Sequence, residues 1–110
     1  MIDDAATAFG AKIGKKFIGN FNHSTSVFSL HANKNSTSGE GGFICTNNNS
    51  LAHKLRMIIN NGLDITPWKR RSNFLNVKFP GYKFNYNDIL AAIGIEQIKK
   101  IEKTLQFRKI

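Results

Sequence analysis

The chain has 110 residues, enough for one small domain and short of what an enzyme needs to close a large pocket with its own residues. Hydrophobic residues make up 41% and charged residues 21%, an ordinary globular balance that argues against a disordered chain. Charge is the outlier: sixteen Lys and Arg against seven Asp and Glu give +9, which admits nucleic acid, anionic lipid or phosphorylated small molecules as partners.

The cations are spread along the chain. The densest run is "WKRR" at 68–71, so a diffuse positive face is expected rather than a basic tail. The single cysteine, Cys45, lies in the apolar run "GFICT" and has no partner with which to form a disulfide. A reducing compartment and a buried strand position are expected for it. The opening "MIDDAATAFG" carries carboxylates where a secretory leader needs positive charge, and no later apolar run reaches membrane-spanning length. The expectation is therefore a cytoplasmic protein with no membrane contact.

Strands and helices alternate along the chain. "MID" reads as the end of a strand, and "AKIGKKFIG" (11–19) as two short extended pieces around a Gly14-Lys15 turn. "STSVFSLH" (24–31) is rich in β-branched and aromatic residues, and "GFICT" (42–46) is a second such strand. A polar, glycine-containing segment with Lys34 in it joins the two. A helix over 50–61 follows, with Asn49 or Ser50 as its cap, Leu51, Leu55 and Ile58 on one stripe, and Gly62 to end it in a left-handed conformation. Residues 63–85 hold both prolines, show no period and read as a long loop, which in a compact protein points either to function or to a misassigned element. A last helix is expected over 87–110, capped by Asn87 and striped by Ile89, Ile93, Ile98, Ile101 and Leu105. The strand-like start and the unfinished helical stripe at the end give the expectation of a segment of something larger.

The chemistry-bearing residues fall at the ends of the predicted strands. Asp3 and Asp4 close the first, where α/β folds bind their ligands, although a solvated pair would look the same. Lys34 follows a later strand. By composition it is a solvated turn cation; in a shared crevice, partly desolvated, it is an amine nucleophile toward a carbonyl. A carboxylate opposite it would keep a heteroaromatic nitrogen protonated. An amine and a carboxylate so placed are the two protein groups that pyridoxal phosphate requires.

Four segments carry a resemblance over almost the whole chain: "DDAATAFGAKIGKKFIGNF", "SVFSLHANKNSTSGEGGFICTNN", "LAHKLRMIINNG" and "GYKFNYNDILAAIGIEQIKKIE". In this order they resemble the DegT/DnrJ/EryC1/StrS family of PLP-dependent sugar aminotransferases, and four ordered motifs are a far more specific signal than one glycine pattern. The resemblance implies an α/β fold, part of the large cofactor domain of the aspartate-aminotransferase-like fold type I, incomplete at both ends. Residues 1–46 would be the cofactor-binding segment.

It further implies Lys34 as the Schiff-base residue and Asp4 as the partner of the pyridinium nitrogen. Ser29 is implied as a donor to the cofactor phosphate, and Lys83 and Asn85 as groups that reach the phosphate of a partner subunit in a homodimer. The family more often has Asn and Arg in that last motif. Thr7 stands where many members have a histidine beside the cofactor ring. A histidine at Lys34 would have marked the dehydratase branch, so the lysine argues for amino transfer. The implied reaction moves an amino group, with glutamate as donor, to a nucleotide-linked keto sugar. His31 and Glu40 are read as loop-orienting, Gly39, Gly41 and Gly42 as tight-backbone positions, and Asp88 as a cap. The family's phosphate turn and stacking ring lie upstream of these motifs, so the isolated chain is not expected to turn over. Two readings from other classes stand beside this one: a basic nucleic-acid-binding module, for which no recognition motif is present, and a non-catalytic chain that pairs through its last helix.

Overall fold

The computed structural model describes residues 1–64 and 77–108, and divides into two compact units, Met1–Asn47 with Tyr86–Ile110, and Asn48–Asn85. The first unit holds five strands: β1 (Ile2–Asp4), β2 (Lys12–Ile13), β3 (Lys16–Phe17), β4 (Thr25–Ser29) and β5 (Gly42–Cys45). β2 and β3 pair antiparallel around Gly14-Lys15, as the turn signal predicts. β1, β4 and β5 form a sheet in the order β1-β4-β5, with β1 parallel and β5 antiparallel to β4.

Alternation along β4 decides what the sheet covers. Ser26 and Phe28 are buried and Val27 is exposed, as the two-residue period of a strand requires. Phe28 stacks on its cross-strand partner Phe43 at 4.8 Å between ring centres. Phe9 meets both rings edge-on, at 5.6 and 5.3 Å. Such pairs contribute about 0.5–1.5 kcal/mol each beyond the area they bury, and with Ala5 and Leu30 they make the core of this unit. Cys45 is half-buried on β5, and burial pushes its thiol up from the ordinary value, which agrees with a strand residue rather than a nucleophile.

The unit is completed by α2 (Asp88–Lys99) and α3 (Ile101–Phe107). Asn87 caps α2 through its side chain, which accepts from Ile89 N at 2.8 Å. Asp88 is therefore not the cap but an acid in the first turn, where the helix dipole favours it. The single helix expected over 87–110 is interrupted at Lys100, whose N–H bonds Gln97 O at 3.1 Å, three residues back rather than four. One turn on, Thr104 donates both its N–H and its hydroxyl to Lys100 O, which holds the start of α3.

The second unit is built on α1 (Asn49–Ile58). Its cap is Asn48, one residue before the predicted choices, with Oδ1 accepting from Leu51 N at 3.0 Å. The helix stops at Ile58. Asn61 and Gly62 follow with φ of 58° and 73°, so the predicted left-handed stop spans two residues. The described end of the 63–85 segment is not free loop: Tyr82 N and Phe84 N donate to Ile58 O and Ile59 O at 2.7 and 3.0 Å, filling carbonyls that a helix end leaves empty. Trp68 to Arg71, the densest basic run, lies outside the described residues. Among the described residues no helix is long and apolar enough to cross a membrane.

Candidate functional site

Parallel pairing sets the carboxyl ends of β1 and β4 side by side, with Asp4 opposite Val27. Asp4 and Ser29 are the last residues of these strands, and Lys34 follows in the loop that leaves β4. Asp4 and Ser29 thus end neighbouring strands, at the edge where α/β folds bind ligands, and Lys34 comes from the loop that follows Ser29.

The two aspartates have different tasks. Asp3 accepts from Ser26 Oγ at 3.0 Å on the neighbouring strand. Buried Ser24, whose hydroxyl completes no hydrogen bond of normal geometry, is its strongest influence; with Ser26 and the positive charges of His23 and the amino terminus it holds the Asp3 carboxyl below the usual range against some desolvation. Asp4 is exposed, and its Oδ1 accepts from Ala6 N at 3.1 Å, closing the turn that starts the next loop.

The loop after β4 is shaped by polar contacts. Leu30 N donates to Gly41 O, and Leu30 O accepts from Ser38 N and from Thr37 Oγ1, at 2.8, 3.1 and 2.9 Å. Ser29 Oγ accepts from His31 N at 3.2 Å. The His31 ring bonds Asn33 Oδ1 through Nδ1 at 3.0 Å and lies 3.7 Å from Glu40 Oε1 through Nε2, so both neighbours act inside the loop. Lys34 N donates to His31 O at 3.0 Å. Ser38 Oγ donates to Glu40 O at 2.7 Å and accepts from the Tyr86 hydroxyl. Gly41, at φ 121°, has the Tyr86 ring where a Cβ would stand, so it meets the tight-backbone expectation twice over.

Lys34 is half-buried and lines an open cavity of about 230 Å³ with Thr7, Asn33, Asn35 and Arg108. Asp4 borders the loop that contributes Thr7, while Asp4 and Ser29 are not among the lining residues. Three contributors, Asn33, Asn35 and Arg108, were not singled out from sequence. Asn35 donates from Nδ2 to Thr7 O and Phe9 O at 3.2 and 3.3 Å, and accepts from Arg108 Nη1 at 2.8 Å. Adjacency to Lys34 was the one available signal for Asn35; for Arg108, at the end of α3, there was none. Lys83 and Asn85 belong to the second unit, where both are exposed and Lys83 forms an isolated backbone bridge with Asn60.

Residues 1–110 match the sequence model of the DegT/DnrJ/EryC1/StrS aminotransferase family. An uncharacterized protein of Methanocaldococcus jannaschii, MJ1066, is 42% identical over 106 residues, 93% of this chain and 27% of the relative. Among solved structures, Helicobacter pylori PseC, an aminotransferase involved in the biosynthesis of pseudoaminic acid, is similar with a TM-score of 0.82 and 33% identity, over 92% of this chain and 26% of its own. The sugar aminotransferase CalS13 of Micromonospora echinospora is similar with a TM-score of 0.81 and 29% identity, over 93% of this chain and 27% of its own. The fold is the mixed α/β architecture of the fold type I PLP-dependent aminotransferases. The chain spans about a quarter of the length of the relatives it matches.

Proposed function

The chain belongs to the DegT/DnrJ/EryC1/StrS aminotransferase family, and from that premise we propose that it supplies the Schiff-base lysine, Lys34, of a sugar aminotransferase. The observation that supports the reading is a half-buried Lys34 on a cavity that it shares with Thr7, from the loop that follows Asp4. Enzymes of this family depend on pyridoxal phosphate, and the donor set here fits that group: an amine for its carbonyl, a carboxylate for its ring nitrogen and a hydroxyl for its phosphate. When bound, the cofactor supplies an electron sink for the carbon that gains or loses the amino group.

The chain's own residues divide the remaining work. Lys34 Nζ would hold the cofactor through its carbonyl and, as a free amine, would move a proton to and from the substrate carbon. Asp4, at the open end of β1, keeps the ring nitrogen protonated by placing a negative charge beside it. Ser29 Oγ, already accepting from His31 N, has its hydroxyl hydrogen available for a phosphate oxygen. Lys83 and Asn85 act on the phosphate bound by the second subunit of a homodimer. The substrate is a keto sugar linked to a nucleotide, and glutamate is the amino donor. Turnover requires more of the protein than these residues, in keeping with the quarter of the relatives' length that the chain covers.

The test needs no turnover. The chain is mixed with pyridoxal phosphate, reduced with borohydride and mapped by peptide mass spectrometry. The label is expected on Lys34, with an absorption band that Lys34→Ala abolishes. A label distributed evenly over the exposed lysines, with the band unchanged in Lys34→Ala, would overturn the assignment.

A further inference from the structure

We infer that Asn35 is the positioning residue for Lys34, and that Arg108 braces it from behind. The consequence for catalysis rests on the reading of Lys34 given above, while the mechanical part stands on geometry alone. Lys34 sits in a run of small polar residues. Its own backbone bond, to His31 O at 3.0 Å, shapes the turn but does not relate it to the loop that follows Asp4. Asn35 supplies that relation. One amide nitrogen carries two hydrogens, and Thr7 O and Phe9 O receive them at 3.2 and 3.3 Å.

The orientation of this amide is dictated by its surroundings. Reversed, its oxygen would face two carbonyl oxygens and its NH₂ would face a guanidinium, so every contact would become repulsive. As it stands, Oδ1 accepts a charge-assisted bond from Arg108 Nη1 at 2.8 Å. One side chain therefore ties together the loop after β1, the loop after β4 and the end of α3. Thr7, Lys34, Asn35 and Arg108 all line the same cavity. No other residue type of this size satisfies the arrangement: aspartate would keep the arginine and repel both carbonyls, and alanine would lose all three bonds.

The experiment measures the Lys34 amine directly, in the 110-residue chain. Wild type, Asn35→Asp and Arg108→Gln are compared by limiting acetylation, with Lys15 in the hairpin turn as internal reference, and by the pyridoxal phosphate and borohydride labelling already described. Loss of two hydrogen bonds in Asn35→Asp is expected to change the Lys34-to-Lys15 acetylation ratio by about fivefold or more and to lower Lys34 labelling by a similar factor. Arg108→Gln, which removes one exposed contact, is expected to produce a smaller change in the same direction, about twofold. Because Arg108 is exposed at a helix end, that variant decides the matter if Asn35→Asp does not fold. Unchanged acetylation ratios in the folded variants would overturn the proposal. Nonselective labelling of the wild type would instead overturn the Schiff-base reading, leaving the acetylation ratios to judge Asn35.

Discussion

Residues 30–42 and the helices α2 and α3 belong to one unit, yet they are held in opposite ways. The loop is polar in composition and contains two almost fully buried serines, Ser36 and Ser38, with its chain crossed by side-chain hydrogen bonds. The helices carry a long apolar stripe, and much of it is open: Ile89 is 71% exposed and Ile93 45%. Apolar periodicity reported the element and not what covers it. The polar run, which by composition resembled a surface turn, is the more constrained of the two.

Substitutions that break or sharpen this contrast can be ranked. Gly41→Ala is expected to have the largest effect, about 2–3 kcal/mol of stability in denaturant unfolding, because it combines a disfavoured positive φ with a Cβ placed in the Tyr86 ring. Ser38→Ala should cost about 1–2 kcal/mol, since it strips the partner from the Tyr86 hydroxyl and from Glu40 O at a nearly buried position. Ile89→Ser, on the exposed stripe, should stay within about 0.5 kcal/mol. A loss there as large as that from Ser38→Ala would reverse the comparison.

The smallest effect is one of pH. The Asp3 carboxyl titrates below its ordinary value of 3.8 in the folded chain, so the unfolded chain binds the proton more readily. Its contribution is complete above that ordinary value and disappears as pH falls through the lower folded one. Ser26→Ala should flatten the acid limb of a stability-against-pH curve, and an identical limb in the variant would show that the Ser26 hydroxyl does not hold the Asp3 carboxyl down.

Local signals carried most of the elements. The Gly14-Lys15 hairpin, both strands around the lysine loop and the Asn87 cap were legible because each depends on a few adjacent residues. The cap of α1 was misread by one position, since three successive asparagines offer the same side chain and only the path of the chain chooses Asn48. The break at Lys100 was invisible to an apolar stripe that continues across it. Family membership, and with it the α/β fold, was legible from motif order. Lys34 and Asp4 stood out by type and order. The Asn35–Arg108 contact did not, because it joins residues 73 positions apart and depends on where α3 ends.

The bond between Asp3 and Ser26 has a wider consequence than its small energy. Asp3 and Asp4 are chemically identical neighbours, and adjacent strand residues face opposite ways. A slip of one position in the pairing of β1 with β4 would exchange them, sending Asp4 to the face now held by Asp3 without altering a single atom of the sequence. The Ser26 hydroxyl, fully buried on the central strand, recognises only one of the two alignments. It works as a keyed joint: the strand seats properly one way round, and that choice settles which aspartate meets the serine and which stays exposed.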